Sequence, residues 1–215
     1  MATVLDASTL TLERVHHLLG LREVKNESYS SILSLSELTE DEKQQISHLS
    51  HTMQMYYGDG KISEGQVQFL LVAPLLWLAG FHKPHLRIDL EVAIANINIT
   101  DKDTQVRGRM DILAAYKKQA DHNINALWVL IIESKNSSIA HSEGLPQLLT
   151  YCYQSLSQQS KVWGLTTNGV SYQFLCLENG DTPTYQILPP LDLGYPQQSQ
   201  QLLQVLKAIG AFIEF

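Results

Sequence analysis

Leu127-Trp-Val-Leu-Ile-Ile132 runs without a break into Glu133-Ser-Lys135, and how these residues are read decides the fold. Six apolar residues in succession, β-branched and aromatic types among them, suit a strand covered on both faces, as in the middle of an α/β sheet. Alternate side chains of a strand point the same way, so Glu133 and Lys135 share a face and Ser134 offers its backbone carbonyl between them. Three other acid-x-lysine tripeptides, Glu23–Lys25, Asp41–Lys43 and Asp59–Lys61, lie in polar or turn contexts and read as solvated surface charge. Only the pair that ends a buried strand is a candidate for chemistry.

Working upstream, the polar stretch Lys117–Asn125 predicts a loop, and Val106–Tyr116 a strand that contains Asp111. Before it, Leu86–Ile99 alternates Leu86, Ile88, Leu90, Val92 and Ile94 with polar or small residues, the pattern of a half-buried strand. Tyr57-Gly-Asp-Gly-Lys61 is a turn, after which Ser63 and Gln66 form a capping-box pattern opening a helix through Gly80, with Pro74 placed to kink it. Residues 1–60, with Leu12, Val15, Leu18 and Leu19 on one helical face, predict a polar helical N-terminal arm. Downstream, Leu145–Leu156 has helical periodicity. Val162–Thr167 and Tyr172–Leu177 read as strands joined by a hairpin at Asn168-Gly169. Pro189-Pro190 stops the last strand, and Leu202, Leu203, Leu206, Ile209 and Ile213 mark a closing helix. This order predicts an α/β sandwich, a mixed sheet flanked by helices, over residues 61–215.

The 215 residues, 44% hydrophobic and 17% charged, suffice for one sizeable core. No basic segment precedes an apolar one at the N-terminus, and the longest apolar run, Phe69 to Phe81, is broken by Pro74 and shorter than the roughly 18 residues of a membrane span. A cytoplasmic protein that contacts no membrane is the expectation. Cys152 and Cys176 lack metal-ligand spacing and read as inert core thiols. A net charge of −7 opposes a large electrostatic footprint on DNA, yet residues 61–135 hold nine basic and eight acidic residues, against four and nine in 1–60. What positive charge there is therefore surrounds the candidate strand.

A metal site needs a second hard oxygen ligand on a neighbouring strand, and Asp111 supplies it. Asp111, Glu133 and the Ser134 carbonyl suit Mg²⁺ or Mn²⁺, which take oxygen donors and keep several waters. Lys135 would position an attacking water or stabilise charge growing on a phosphate. Glu64, in the first turn of its helix, reads either as a further catalytic acid or as a carboxylate favoured by the helix dipole. Arg107 and Arg109 read either as phosphate contacts or as ordinary exposed strand residues. His48 with His51 and His82 with His85 have no third ligand at readable spacing, which argues against zinc. Walker A, G-x-G-x-x-G and G-x-S-x-G sequences are absent, so any motor must be another chain.

Gly108-Arg-Met-Asp111 together with Trp128-Val-Leu-Ile-Ile-Glu-Ser-Lys135 resembles the PD-(D/E)XK nuclease superfamily. Gln147 and Tyr151 reproduce the Q-x-x-x-Y helix motif of its RecB-like members, four apart and so on one helical face. Leu165-Thr-Thr-Asn-Gly169 followed by Tyr172-Gln-Phe174 is similar to a hairpin in the N-terminal nuclease domain of type I restriction motor subunits and their stand-alone bacterial relatives. The likeness spans about residues 62–178. Met110 stands where the name-giving proline would be, and 21 residues separate Asp111 from Glu133. The resemblance implies a restriction-endonuclease-like fold and Mg²⁺- or Mn²⁺-dependent hydrolysis of DNA, in restriction or defence. Asp111 and Glu133 would be ligands, Lys135 the catalytic cation, and Gln147 would orient substrate or water, with Tyr151 beside it on the substrate side. DNA is the expected partner, and a second copy of the chain or a separate motor or modification subunit is compatible with it. The alternative is a catalytically inactive module that keeps the fold as a protein-binding or oligomeric scaffold.

Overall fold

The computed structural model describes residues 3–25, 28–99, 104–117 and 127–211, with the backbone alone at 94–96, 98 and 99. The expected loop is described only at Lys117, and Ile213 lies outside the described residues, as does the side chain of Ile94. A mixed sheet runs in the order β1 (Thr3–Asp6), β4 (Thr104–Tyr116), β5 (Leu127–Ser134), β6 (Lys161–Thr167), β7 (Ser171–Glu178), β8 (Thr184–Ile187) and β2 (Arg22–Glu23). β3 (Leu86–Ile99) pairs antiparallel with β4, and the short β9 (Leu191–Asp192) with β7. β5 and β6 are parallel neighbours, so the chain between them crosses over through a helix, as parallel pairing requires. That helix is α5 (Leu145–Ser155).

The apolar run of β5 is central and covered on both faces, as its composition predicts. Leu130 and Ile132 enter one core cluster with α2 (Glu40–Gly58), α4 (Ala73–Leu78) and α6 (Pro196–Ala211), while Ile131 enters a second beneath α5 and α1 (Leu12–Leu19). Each such fully buried side chain contributes about 2 kcal/mol of burial free energy. The Asn168-Gly169 hairpin forms as expected: Gly169 takes φ +86°, and the Asn168 side chain accepts from the backbone N–H groups of Val170 and Ser171.

The segment expected to be a helical arm is also a source of strands. β1 pairs in parallel with β4, and β2 with β8, while Val15, Tyr29, Ile46 and Met53 are buried in the two clusters. Strands of four and two residues are too short to display a periodicity, and their place is set by the edges they join.

The helix expected from Ser63 opens with the capping box in place and runs as α3 (Glu64–Gln66), a π-helical segment (Val67–Val72) and α4. Pro74 has no N–H to return to the preceding turn. Just before it the turn is wider, the Ala73 N–H donating to the Gln68 carbonyl, which accommodates the missing donor. In β3 the expected alternation fails midway. Leu86 is buried, Ile88 and Leu90 are exposed, and Glu91 adopts φ +56°, after which Val92 packs against the opposite cluster. No described helix is long and apolar enough to cross a membrane.

Candidate metal centre

β4 stays paired with β5 only from Ile112 to Tyr116, then leaves it to pair with β1 from Thr104 to Arg107. Two strands that part leave a fork, and an open cleft of about 580 Å³ lies there. Its lining includes Asp111 from the parting strand, Glu133 and Lys135 from the end of β5, Glu64 from α3, and Gln147 and Tyr151 from α5. Arg107 and Arg109 complete the side formed by β4. The residues singled out in the sequence thus share one cavity, with Ser134 bonded into it.

Asp111 is held by its neighbour strand. The Ser134 N–H and Oγ both donate to Asp111 Oδ2 at 2.7 Å, and Gln68 Nε2 donates to Ser134 Oγ at 2.8 Å. Ser134 therefore acts through its N–H and hydroxyl in this geometry, fixing the carboxylate, whereas the sequence pattern offered its carbonyl to a metal. The β4 side chains at Met110 and Leu113 enter one cluster and Ile112 the other, so strand alternation breaks at Asp111. Leu90 pairs with Ile112 and Val92 with Met110, which sets the left-handed Glu91 opposite Asp111. Such irregularities re-aim side chains at functional clefts.

Glu133 is 1% exposed and accepts from Lys135 Nζ at 2.5 Å through Oε1, while Oε2 is buried without a hydrogen-bond partner. Burial, followed by the negative charge of Asp111, pushes its pKa up to about 8 despite the lysine. For Lys135, burial works against the charged form, but the carboxylates of Glu133, Asp111 and Glu64 outweigh it and raise the pKa. Glu64 is raised too, by partial burial and then by Asp111, with Glu91 adding to it. One lysine thus faces Glu133 and Glu64, two carboxylates that burial and neighbouring negative charge make reluctant to ionise. A divalent cation would relieve that repulsion.

Among the described residues no three His, Cys, Asp or Glu side chains form a cluster that could hold an ion. The side-chain oxygens that could hold an ion there are those of Asp111 and Glu133, which main-chain oxygen and water would have to complete; hard oxygens of this kind are what Mg²⁺ and Mn²⁺ take. The uncompensated Glu133 oxygen is the feature that fits such an ion best.

Tyr151 is fully buried, and its hydroxyl accepts from Gln147 Nε2 at 2.6 Å, so it steadies Gln147 at the cleft. A glycine makes this possible: a Cβ at Gly108 would lie 2.8 Å from Tyr151 Oη. Gly108→Ala is therefore expected to cost about 1–3 kcal/mol in urea unfolding, the range for inserting a methyl into packed surroundings. Gly144 similarly leaves room for Glu133, whose Cγ would be 2.9 Å from an added Cβ.

Arg109 Nε pairs with Glu91 Oε2 at 2.5 Å on the exposed rim. Arg107 sits beside Asp6, whose pKa is lowered chiefly by hydrogen bonds from Ser8. Asp6 and Ser8 line the cleft and were not singled out in the sequence, since β1 carries no signal of its partner. Gln68 was missed as well, although its position four residues after Glu64 places both on the helix side that meets the site. Both histidine pairs and both cysteines lie outside the cleft lining. The chain matches no protein-family model and no curated protein.

Proposed function

We propose that this chain is a divalent-metal-dependent nuclease that hydrolyses phosphodiester bonds in DNA, on a restriction-endonuclease-like version of the α/β sandwich. One observation carries the reading: Asp111 and Glu133 meet Lys135 in the fork between β4 and β5, with a buried carboxylate oxygen of Glu133 left uncompensated. A restriction or defence role extends the same reading.

Asp111 and Glu133 would hold Mg²⁺ or Mn²⁺, which when bound polarises a phosphoryl oxygen and lowers the pKa of water. Ser134 and Gln68 keep the Asp111 carboxylate in one orientation before substrate arrives, so no reorganisation is needed at the moment of reaction. Lys135, half-buried and charged, places a positive group where negative charge accumulates on the phosphate. Gln147, fixed by Tyr151, presents its amide to water or substrate. Arg107 and Arg109 supply cations along the β4 side for flanking phosphates.

Titration calorimetry with Mn²⁺ and a plasmid-nicking assay test this together. The wild type is expected to bind Mn²⁺ and to nick supercoiled DNA only with Mg²⁺ or Mn²⁺, and Asp111→Asn to lose both the binding heat and the nicking. Absence of metal binding in the folded wild type would overturn the reading and leave the scaffold alternative.

A further inference from the structure

We infer that Glu91 is a positioning residue for substrate: its carboxylate holds the Arg109 side chain at the rim of the cleft, with the outer edge of the guanidinium left for a backbone phosphate that flanks the one being cut. That the phosphate belongs to DNA rests on the nuclease reading above; the grip of Glu91 on Arg109 does not.

Glu91 occupies a costly place. Among the described residues it is the one non-glycine with positive φ, +56°, and it takes that conformation inside a strand. There the Cβ of an L-residue crowds the following carbonyl, a penalty that glycine escapes. Its charge is unfavourable as well. Glu64, whose pKa is raised first by partial burial and then by Asp111, is raised further by Glu91, so this carboxylate adds to an acidic cluster in a cleft read as binding a polyanion. A strained, like-charged residue at a cleft points to a role that the fold alone does not require.

What the carboxylate holds is Arg109, whose Nε lies 2.5 Å from Glu91 Oε2. The two side chains are 66% and 50% exposed, and a pair this open to solvent adds little to stability. Its consequence lies in where it puts the guanidinium. Directly across from Arg109 in the β3–β4 register stands Ala93, whose methyl offers no partner, and Glu91 reaches Arg109 along the diagonal. Arg109 lines the cleft and Glu91 does not, so the side chain is held from outside the lining. Its main chain is held too, because the Arg109 N–H donates to the hydroxyl of Tyr151, which also accepts from Gln147.

With the main chain and Nε both committed, the N–H groups of the two Nη atoms remain, and they form an edge that matches a pair of phosphate oxygens. An exposed arginine free to rotate loses that freedom when it binds, which weakens the complex. Arg109 has given up part of it beforehand. Arg107 has no equivalent support: Asp6, across from it in the β1–β4 register, accepts from the N–H and hydroxyl of Ser8 instead. Asp6 is thus an acid of the same cleft that steadies no arginine, and it shows what charge alone does.

Two measurements on the full-length chain test the assignment: fluorescence anisotropy of a labelled blunt duplex in EDTA, where cleavage is suppressed, and steady-state cleavage in Mg²⁺. Glu91→Gly keeps the left-handed backbone without strain and removes only the grip. It is expected to weaken duplex binding about five-fold and to raise KM by the same factor with kcat unchanged, the size of effect for one side chain that must be ordered on binding. Glu91→Gln, whose amide oxygen still accepts from Nε, should keep most of the wild-type affinity. In an Arg109→Ala background Glu91→Gly should change nothing. Asp6→Asn should tighten the duplex, as removal of an acid from such a cleft does when charge is all that matters. A Glu91→Gly variant that binds the duplex as well as the wild type or better would overturn the assignment, as would a loss that persists without Arg109. A urea midpoint below that of the wild type would do the same, by making Glu91 a support of the fold. In each of these cases Mn²⁺ binding and nicking by the wild type survive, whereas failure of the nuclease reading itself shows as a wild type that neither binds Mn²⁺ nor cuts any DNA.

Discussion

Lys135→Ala is expected to lower Mg²⁺-dependent DNA cleavage by about 10²–10³-fold, the loss typical of removing one preorganised group that stabilises transition-state charge. Its ammonium lies 2.5 Å from Glu133 Oε1, and three carboxylates, those of Glu133, Asp111 and Glu64, hold it in the charged form. Removing it leaves Asp111 in place, because that carboxylate is anchored separately through Ser134 and Gln68. The defect should therefore fall on turnover more than on Mn²⁺ stoichiometry. Single-turnover cleavage of a supercoiled plasmid, beside calorimetry with Mn²⁺, separates the two. Equal cleavage rates in wild type and variant would remove Lys135 from the mechanism, and lost metal binding in a folded variant would make it a structural support of Glu133 instead. Lys135→Arg should recover little, since a planar guanidinium cannot substitute for a compact ammonium in a cleft already fitted around it.

How legible this site was in the sequence depends on what each residue has to signal. Glu133 and Lys135 follow a run of apolar, β-rich residues that suits a covered strand, so element and face were readable together. Gln147 and Tyr151 were legible only through the resemblance to the Q-x-x-x-Y motif, whose spacing puts both on one helix face. Asp111 was readable as a residue within a strand, but its aim was not, because it depends on a break in alternation shared with Glu91 across the β3–β4 pair. Nothing local to Glu91 announces a left-handed backbone, and tertiary pairing imposes it. The same holds for the N-terminal segment. Leu12, Val15, Leu18 and Leu19 did form a helix with one buried face, while Thr3-Val-Leu-Asp6 became a strand only because β4, on leaving β5, exposes an edge that needs a partner. Asp6 and Ser8 reach the cleft by that route, and a local pattern holds no record of it.

In the metal-free protein, stability is expected to fall as pH rises from 4.5 to about 8, the interval between the ordinary and the folded-state pKa of Glu133. Within that window the folded chain keeps a proton that the unfolded chain has released, so the native state binds more protons and each rise in pH favours unfolding. The contribution is fully present below the lower value, is lost progressively at no more than about 1.4 kcal/mol per pH unit, and is gone above the upper one. Within this window only Glu64 among the other shifted groups shares its sense. Asp6 and Glu42 have lowered values, so they add stability as pH rises through a range that ends near the bottom of the window. His141, lowered by burial, acts in the opposite sense to Glu133, and Glu64 acts in the same sense but is solvent-screened. Lys135, raised, matters only at more alkaline pH. Lys135 apart, whose shift, upward against burial, comes chiefly from Glu133 and lies outside the window, these contributions persist in Glu133→Gln, so the difference between the two pH profiles within the window isolates Glu133: the variant should lose this downward slope, which the wild type keeps. Adding Mn²⁺ should raise the wild type most at the alkaline end, because a bound cation takes up the charge that burial penalises and binds only the folded state. Urea denaturation across the window, in EDTA and in Mn²⁺, measures both effects. Parallel profiles for wild type and Glu133→Gln in EDTA would show that Glu133 is ionised in the folded protein throughout, and the uncompensated carboxylate on which the metal site is built would then be already neutralised by Lys135.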